Sequence, residues 1–91
     1  MEYKTIDKFI KYCNKNTIKI LLAIVENTEF KGLEGQILVN NIYLYIFRFI
    51  YDVKNGCYVG YIKDTGGNTV YDWNGDLSEF NMFKEFIISN L

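Results

Sequence analysis

The stretch between residues 42 and 73 constrains the fold most, because it is rich in strand-forming residues and two turn signals divide it. The first signal is Asn55-Gly56. Between two runs of β-branched and aromatic residues, Asn-Gly is the strongest short-range indication of a hairpin. The second signal is Thr65-Gly66-Gly67-Asn68, a cluster of turn-forming residues. The sequence therefore predicts an antiparallel meander with strands over residues 42–53, 57–64 and 69–73.

Both flanks of the chain show the apolar spacing of amphipathic helices. Near the start, Thr5 is a predicted N-cap. Near the end, Asp76 and Glu79 have the spacing of a capping box. The apolar face of the first helix comprises Ile6, Phe9, Ile10 and Cys13, and that of the last comprises Leu77, Phe80, Phe83, Ile87 and Leu91. These patterns predict helices over residues 5–14 and 76–90.

The region between the first helix and the meander is less regular. Residues 17–25 are dense in β-branched side chains, which favours a strand over a buried helix. Residues 26–35 are polar and contain two glycines, which predicts a loop or a bent hairpin before a short strand over residues 36–39. Asn40-Asn41 follows this strand and tolerates the positive φ of a tight turn. The predicted fold is therefore a single α+β domain over residues 1–91. It is an antiparallel β-meander of four to five strands flanked by an N-terminal and a C-terminal α-helix.

The turn lengths fix a predicted strand register. A two-residue loop at the first turn places Phe49 opposite Ile62 and Tyr51 opposite Gly60. Because side chains alternate between the two faces of a sheet, one face is then almost entirely aromatic. We expect this face to form the core beneath the helices, with Phe49, Ile62 and Trp73 largely buried.

The opposite face carries an aliphatic row beside charged residues. The aliphatic row comprises Ile42, Leu44, Ile46 and Ile50. Nearer the hairpin tips the same face is predicted to carry Arg48, Asp52, Tyr61, Lys63 and Asp72. Either the strand at residues 17–25 covers this row or a second subunit does, and the second alternative predicts a homodimer.

The composition favours a compact protein of the cytoplasm. Hydrophobic residues make up 49% of the chain, which is too many for a disordered protein. The net charge of −1 gives no bulk attraction to nucleic acid or to an anionic membrane. The chain has two cysteines, no apolar run of membrane-spanning length and no signal-peptide pattern, so we expect no disulfide framework and no membrane association.

Residues suited to catalysis or metal binding are sparse. The chain contains no histidine, which removes the usual general base and the Cys–His zinc sites. Glu29-Phe30-Lys31 matches only half of a nuclease motif, and residues 72–83 lack the glycine and glutamate of a calcium loop. We therefore expect a protein that is not an enzyme and has no cofactor or metal.

Charge is distributed unevenly along the chain. Residues 1–20 hold five lysines against two acidic residues, whereas residues 64–91 hold five acidic residues against one lysine. An acidic surface steers and pairs with a basic partner. The predicted partner-binding residues are Asp64, Asp72, Asp76, Glu79, Tyr61, Arg48 and Lys63. The Lys-rich first helix is the alternative contact surface.

The last third of the chain resembles the C-terminal part of the SUKH superfamily, which includes many bacterial toxin-immunity proteins. The resemblance lies in Asp64, Gly66-Gly67-Asn68, Val70-Tyr71 and Phe83-Lys84-Glu85-Phe86-Ile87. The first half of the chain has no clear counterpart in that family. The resemblance implies a non-enzymatic cytosolic antidote that binds a toxin.

Two functions are consistent with the sequence. The preferred one is a small inhibitor or antidote of the immunity or phage anti-defence type. It would occlude a partner protein such as a toxin or a basic nucleic-acid-binding enzyme. Asn, Ile, Lys and Tyr make up 39 of the 91 residues, which indicates the AT-rich genome of a low-GC bacterium, its phage or an archaeal virus. The alternative is an Sm-like small barrel for RNA or a small ligand, bent at Gly32 and Gly35.

Overall fold

A computed structural model describes residues 6–73 and 77–91 of the protein. The predicted caps Thr5 and Asp76 lie outside the described residues. The elements in chain order are α1 (Ile6–Asn14), β1 (Ile18–Glu26), β2 (Phe30–Val39), β3 (Tyr43–Asp52), β4 (Cys57–Lys63), β5 (Thr69–Trp73) and α2 (Leu77–Ser89).

The five strands form one antiparallel sheet in the order β1-β2-β3-β4-β5. This arrangement confirms the predicted α+β fold with a meander between two helices, and it confirms a strand rather than a helix after α1. Within the described ranges β1 pairs with β2 alone and β5 with β4 alone, so the sheet is open and does not close into a barrel. None of the helices in these ranges is long and apolar enough to cross a membrane.

The strand β2 is longer than the sequence predicted. The loop before it is limited to residues 27–29, because the Asn27 side-chain oxygen accepts hydrogen bonds from the backbone N–H groups of Glu29 and Phe30, both at 2.8 Å. At its other end β2 turns through Asn40 and Asn41, whose φ angles of 55° and 57° confirm the predicted left-handed turn.

Two glycines lie inside β2 rather than in a loop. A Cβ atom at Gly32 would run into the carbonyl oxygen of Phe49 on β3, and one at Gly35 would run into the carbonyl oxygen of Leu21 on β1. The backbones of neighbouring strands therefore approach β2 closely at these two positions. The glycines permit this approach in the middle of a strand, as glycine often does within sheets.

The hairpin between β3 and β4 has a four-residue loop, and the predicted two-residue loop is wrong. A two-residue type I′ turn needs a positive φ at both of its residues. At Asn55-Gly56 only the glycine has one, at 65°. The Asp52 carboxylate instead accepts hydrogen bonds from the backbone and side-chain amides of Asn55, at 3.1 and 2.7 Å, which stabilises the longer loop.

The longer loop shifts the register of β3 against β4 by two residues. Phe49 lies opposite Gly60, where Ile62 was predicted. Tyr51 lies opposite Tyr58, where Gly60 was predicted. Because side chains alternate with a period of two, an even shift keeps every side chain on its predicted face. The separation into an aromatic face and a mixed face is therefore unaffected.

The aromatic face is the core, and both helices pack on it. Phe49 and Ile62 are 0% exposed and Trp73 is 3% exposed, which confirms their predicted burial. The ring of Phe83 on α2 stacks on Phe49 with 4.2 Å between the ring centroids. The buried helix residues are Ile6, Phe9, Cys13, Phe80, Phe83 and Ile87, whereas Leu77 and Leu91 of the predicted apolar face are exposed.

Candidate functional site on the open face of the sheet

The face of the sheet opposite the helices is the candidate site, and we call it the open face. It carries the even-numbered side chains of β2 and β3 and the odd-numbered side chains of β1 and β4. The buried side chains of both helices belong to the cluster on the other face. The open face is therefore the broad surface of the sheet that the helices leave uncovered.

A polar row crosses the open face from β2 to β5. The strand register places Glu34 opposite Arg48, Arg48 opposite Tyr61, and Tyr61 opposite Asp72. The Arg48 Nε donates a hydrogen bond to the Glu34 Oε2 at 3.2 Å. Both side chains of this ion pair are partly exposed, so it contributes about 1 kcal/mol at most to stability. Its main effect is to orient the guanidinium group.

The row brings together four of the predicted partner-binding residues: Arg48, Tyr61, Lys63 and Asp72. The Lys63 ammonium nitrogen lies 4.7 Å from the centroid of the Tyr61 ring, which is a cation–π distance. Asp72 is exposed at the end of the row. Sequence analysis missed Glu34, because the segment that contains it was interpreted as a loop or a bent hairpin.

Asp64, another predicted contact residue, lies in the turn between β4 and β5. Its Oδ1 accepts hydrogen bonds from the backbone N–H groups of Asn68 and Gly66 at 3.0 and 2.9 Å. These bonds, that of Asn68 foremost, hold the pKa of the Asp64 carboxyl below its ordinary value. The carboxylate therefore has a structural role in closing the turn.

Glu79 lies on the helix side of the sheet. Its Oε2 accepts a hydrogen bond of 2.6 Å from the hydroxyl of Tyr71, a buried residue of the aromatic face. Tyr71 and Asp72 are neighbours in β5 and point to opposite faces. The structure thus places Asp72 and Glu79 on opposite faces of the sheet, while Asp76 lies outside the described residues.

The turn carboxylates predict how stability depends on pH. Hydrogen bonds from the side chain and the backbone of Asn55 hold the pKa of Asp52 below its ordinary value, as those of Asn68 do for Asp64. A group with a lowered folded-state pKa stabilises the protein above its unfolded-state pKa of about 3.9, and this contribution is lost as the pH falls through the folded-state pKa.

We therefore expect the free energy of unfolding, measured by urea denaturation, to decrease as the pH is lowered below about 4. A variant with Asp52→Asn and Asp64→Asn should show a smaller decrease. Glu85→Gln, which changes an exposed carboxyl of α2, is the control. An equally steep decrease in the double variant would exclude the two turns as its origin.

An aliphatic surface adjoins the polar row. Ile42, Ile46 and Leu21 are exposed there, and Leu44 is half-buried. The sequence predicted that β1 or a second subunit would cover the aliphatic row. The strand β1 extends the sheet edge instead and leaves Ile42 and Ile46 exposed, whereas Ile50 is buried. A shallow depression of about 390 Å³, lined by Ile46, Arg48 and Tyr61, joins the aliphatic surface to the polar row.

The described ranges contain no cluster of metal ligands, and of their two free thiols Cys13 is buried and Cys57 is exposed. No group of three or more His, Cys, Asp or Glu residues there could hold a metal ion. Burial raises the pKa of the Cys13 thiol to about 12, so this thiol stays protonated and unreactive at neutral pH.

Comparisons with protein-family models, with curated proteins and with solved structures find no match to this chain. The resemblance to the SUKH superfamily thus rests on the sequence motifs alone.

Proposed function

We propose that this protein is a small non-enzymatic inhibitor or antidote that binds a partner protein through the open face and occludes it. The observation that carries this proposal is the mixed surface that both helices leave uncovered, with aliphatic side chains beside Arg48, Tyr61 and Asp72. Tyrosine and arginine are enriched among the residues that contribute most to protein–protein affinity. A rim of polar groups around an apolar centre is the usual composition of such an interface.

The charges of the open face favour a partner with basic groups near Asp72. Glu34 is already paired with Arg48, and Asp64 is held by its own turn. The Asp72 side chain has no ion pair or hydrogen bond with another residue of the described ranges, and Asp72 is exposed beside Tyr61. A toxin or a nucleic-acid-binding enzyme with a basic surface would supply the complementary Lys or Arg.

The test is charge reversal at Asp72. We expect Asp72→Lys to leave the melting temperature unchanged and to weaken partner binding. If the aspartate pairs with a desolvated cation, the loss is about 2–5 kcal/mol, which is roughly 30-fold or more in Kd. The partner is first captured from a bacterial lysate with the wild-type protein and identified by mass spectrometry. Titration calorimetry with the purified partner then compares the variants.

Lys11→Glu is the matched control, because Lys11 is exposed on α1, on the other side of the sheet. It should bind the partner as the wild type does. Unchanged affinity for Asp72→Lys together with weakened binding for Lys11→Glu would move the contact to the first helix and contradict the open-face proposal.

The alternative function, RNA binding, has its own test. Salt-sensitive binding of a labelled single-stranded RNA, abolished by Arg48→Glu, would favour this alternative.

A further inference from the structure

The two edge strands of the sheet differ in how well they are protected against pairing with a further strand. Edge strands expose unpaired backbone groups, and proteins usually blunt them with short length, charge or bulges. The edge strand β5 has five residues, an exposed Asp72, and an irregular register against β4 at Ile62/Lys63. The edge strand β1 has nine residues in unbroken register with β2 and includes six successive apolar residues, 20–25. Its length, its regular register and its apolar sequence are the features of an edge strand that pairs with a further strand.

The register identifies which backbone groups of β1 have no partner among residues 6–73 and 77–91. Beyond the two ends of the β1–β2 ladder, the Asn40 N–H donates to the Thr17 carbonyl and the Asn27 N–H donates to the Phe30 carbonyl. Hydrogen-bonded pairs alternate along an antiparallel ladder, so the odd-numbered residues of β1 bond to β2. The even-numbered residues, from Ile18 to Glu26, therefore direct their N–H and C=O groups to the free edge.

An apolar groove accompanies the same edge. It has a volume of about 540 Å³ and lies between the β1–β2 hairpin and the end of α2. Ile24 of β1 is 73% exposed there, and it shares the groove with the exposed Ile88 and Leu91. Free backbone groups and exposed apolar side chains thus occur together, which is the combination that an added strand satisfies.

We propose that β1 pairs antiparallel with β1 of a second copy of this chain, around a two-fold axis perpendicular to the sheet at Ala23. Such an axis pairs residues of equal parity, so the free even-numbered groups of the two copies bond to each other. It places Leu22 opposite Ile24 and Leu21 opposite Val25. No like charges face each other, because Lys19 lies opposite Asn27 and Glu26 lies opposite Ile20.

The size of a stable interface explains why the groove is part of it. Nine residues of strand extend over roughly 30 Å at about 3.3 Å each, and a stable dimer buries about 800 Å² on each partner. The edge of one strand alone is too narrow for that area. The grooves of the two copies flank the axis, and Ile24, Ile88 and Leu91 of each copy supply the remaining apolar contact. This pairing leaves both open faces on one side of the joined sheet and does not depend on the proposed function.

Cysteine crosslinking tests the register. In a Cys57→Ser background, which removes the exposed native thiol, Ala23→Cys should form a disulfide-linked dimer with oxidised glutathione. Non-hydrogen-bonded pairs have Cα atoms about 4.5 Å apart, within the range of about 4.4–6.8 Å for disulfides. Thr69→Cys in the same background places the thiol on the β5 edge and should remain monomeric on a denaturing gel. Equal crosslinking of the two variants would overturn the proposal.

A proline tests the hydrogen bonds. The Ile24 N–H points to the free edge, so Ile24→Pro keeps the β1–β2 bonds and should convert a wild-type dimer into a folded monomer in analytical ultracentrifugation. Ile24→Val keeps the N–H and should remain dimeric.

Hydrogen exchange of the wild type tests the same hydrogen bonds without a variant. The N–H groups of Leu22 and Ile24 should be as protected as those of Leu21 and Ala23. Rapid exchange of the Leu22 and Ile24 N–H groups, or a wild type that stays monomeric at high concentration, would overturn the proposal.

Discussion

The variant Phe49→Ala is expected to lose about 3–5 kcal/mol of unfolding free energy, the usual cost of truncating a buried phenylalanine. Phe49 is fully buried at the centre of the aromatic core. Its ring contacts rings from β3, β5 and α2, so truncation leaves a cavity that several elements border. Because small domains have only about 5–15 kcal/mol in total, this loss removes a large part of the stability and should lower the melting temperature by roughly 12 °C or more.

Urea denaturation followed by circular dichroism measures this loss. Ile46→Ala is the control, because Ile46 is a large apolar residue of the same strand that is exposed on the open face. Its substitution should cost well under half as much. A melting temperature for Phe49→Ala only a few degrees below that of the wild type would contradict the central position of Phe49.

The second large effect is expected for Gly35→Ala, which adds a single methyl group. That group would overlap the carbonyl oxygen of Leu21 and lie 3.1 Å from the Cε1 atom of Phe47. A backbone oxygen held in a ladder cannot rotate away as a side chain can, so β1 must shift from β2. We expect a loss near the upper end of the range of about 1–3 kcal/mol for overpacked sites.

Gly66→Ala is the matched control for this substitution. Its added methyl group would meet only side-chain atoms, Asn68 Nδ2 at 3.2 Å and Asp64 Oδ1 at 3.4 Å, in an exposed turn. Thermal unfolding of the two variants should therefore differ clearly, with Gly35→Ala the less stable. Equal melting temperatures would show that the approach of β1 to β2 can relax at little cost.

Local signals predicted the positions of the turns and the two faces of the sheet, because these depend on few residues, but they did not predict the length of the loop between β3 and β4. The Asn40-Asn41 turn requires only two residues that tolerate a positive φ, and the aromatic face requires only a period of two. The length of β2 could not be predicted in the same way. Gly32 and Gly35 are loop-forming residues in isolation, and the reason for their place in a strand is the close approach of strands distant in sequence.

In the candidate site, too, some residues could be predicted from periodicity, while the roles of others depend on individual contacts. Arg48, Tyr61 and Asp72 were predicted on one face, and they stay together because the register error was an even number of residues. The roles of Asp64 and Glu79 depend on individual hydrogen bonds to a turn backbone and to Tyr71. Such bonds leave no periodic signal, so the sequence did not show that Glu79 lies on the face of the sheet opposite Asp72.

The strands follow one another in the sheet in the same order as in the chain. This order affects how the protein folds while it is being synthesised. Each strand pairs with its immediate neighbour through a loop of three to five residues, so every pairing step closes a short loop at small entropic cost. Hairpins of this kind form on the microsecond timescale, far faster than a ribosome adds residues. The sheet can therefore grow strand by strand during translation. The core closes only when α2 arrives and Phe83 stacks on Phe49.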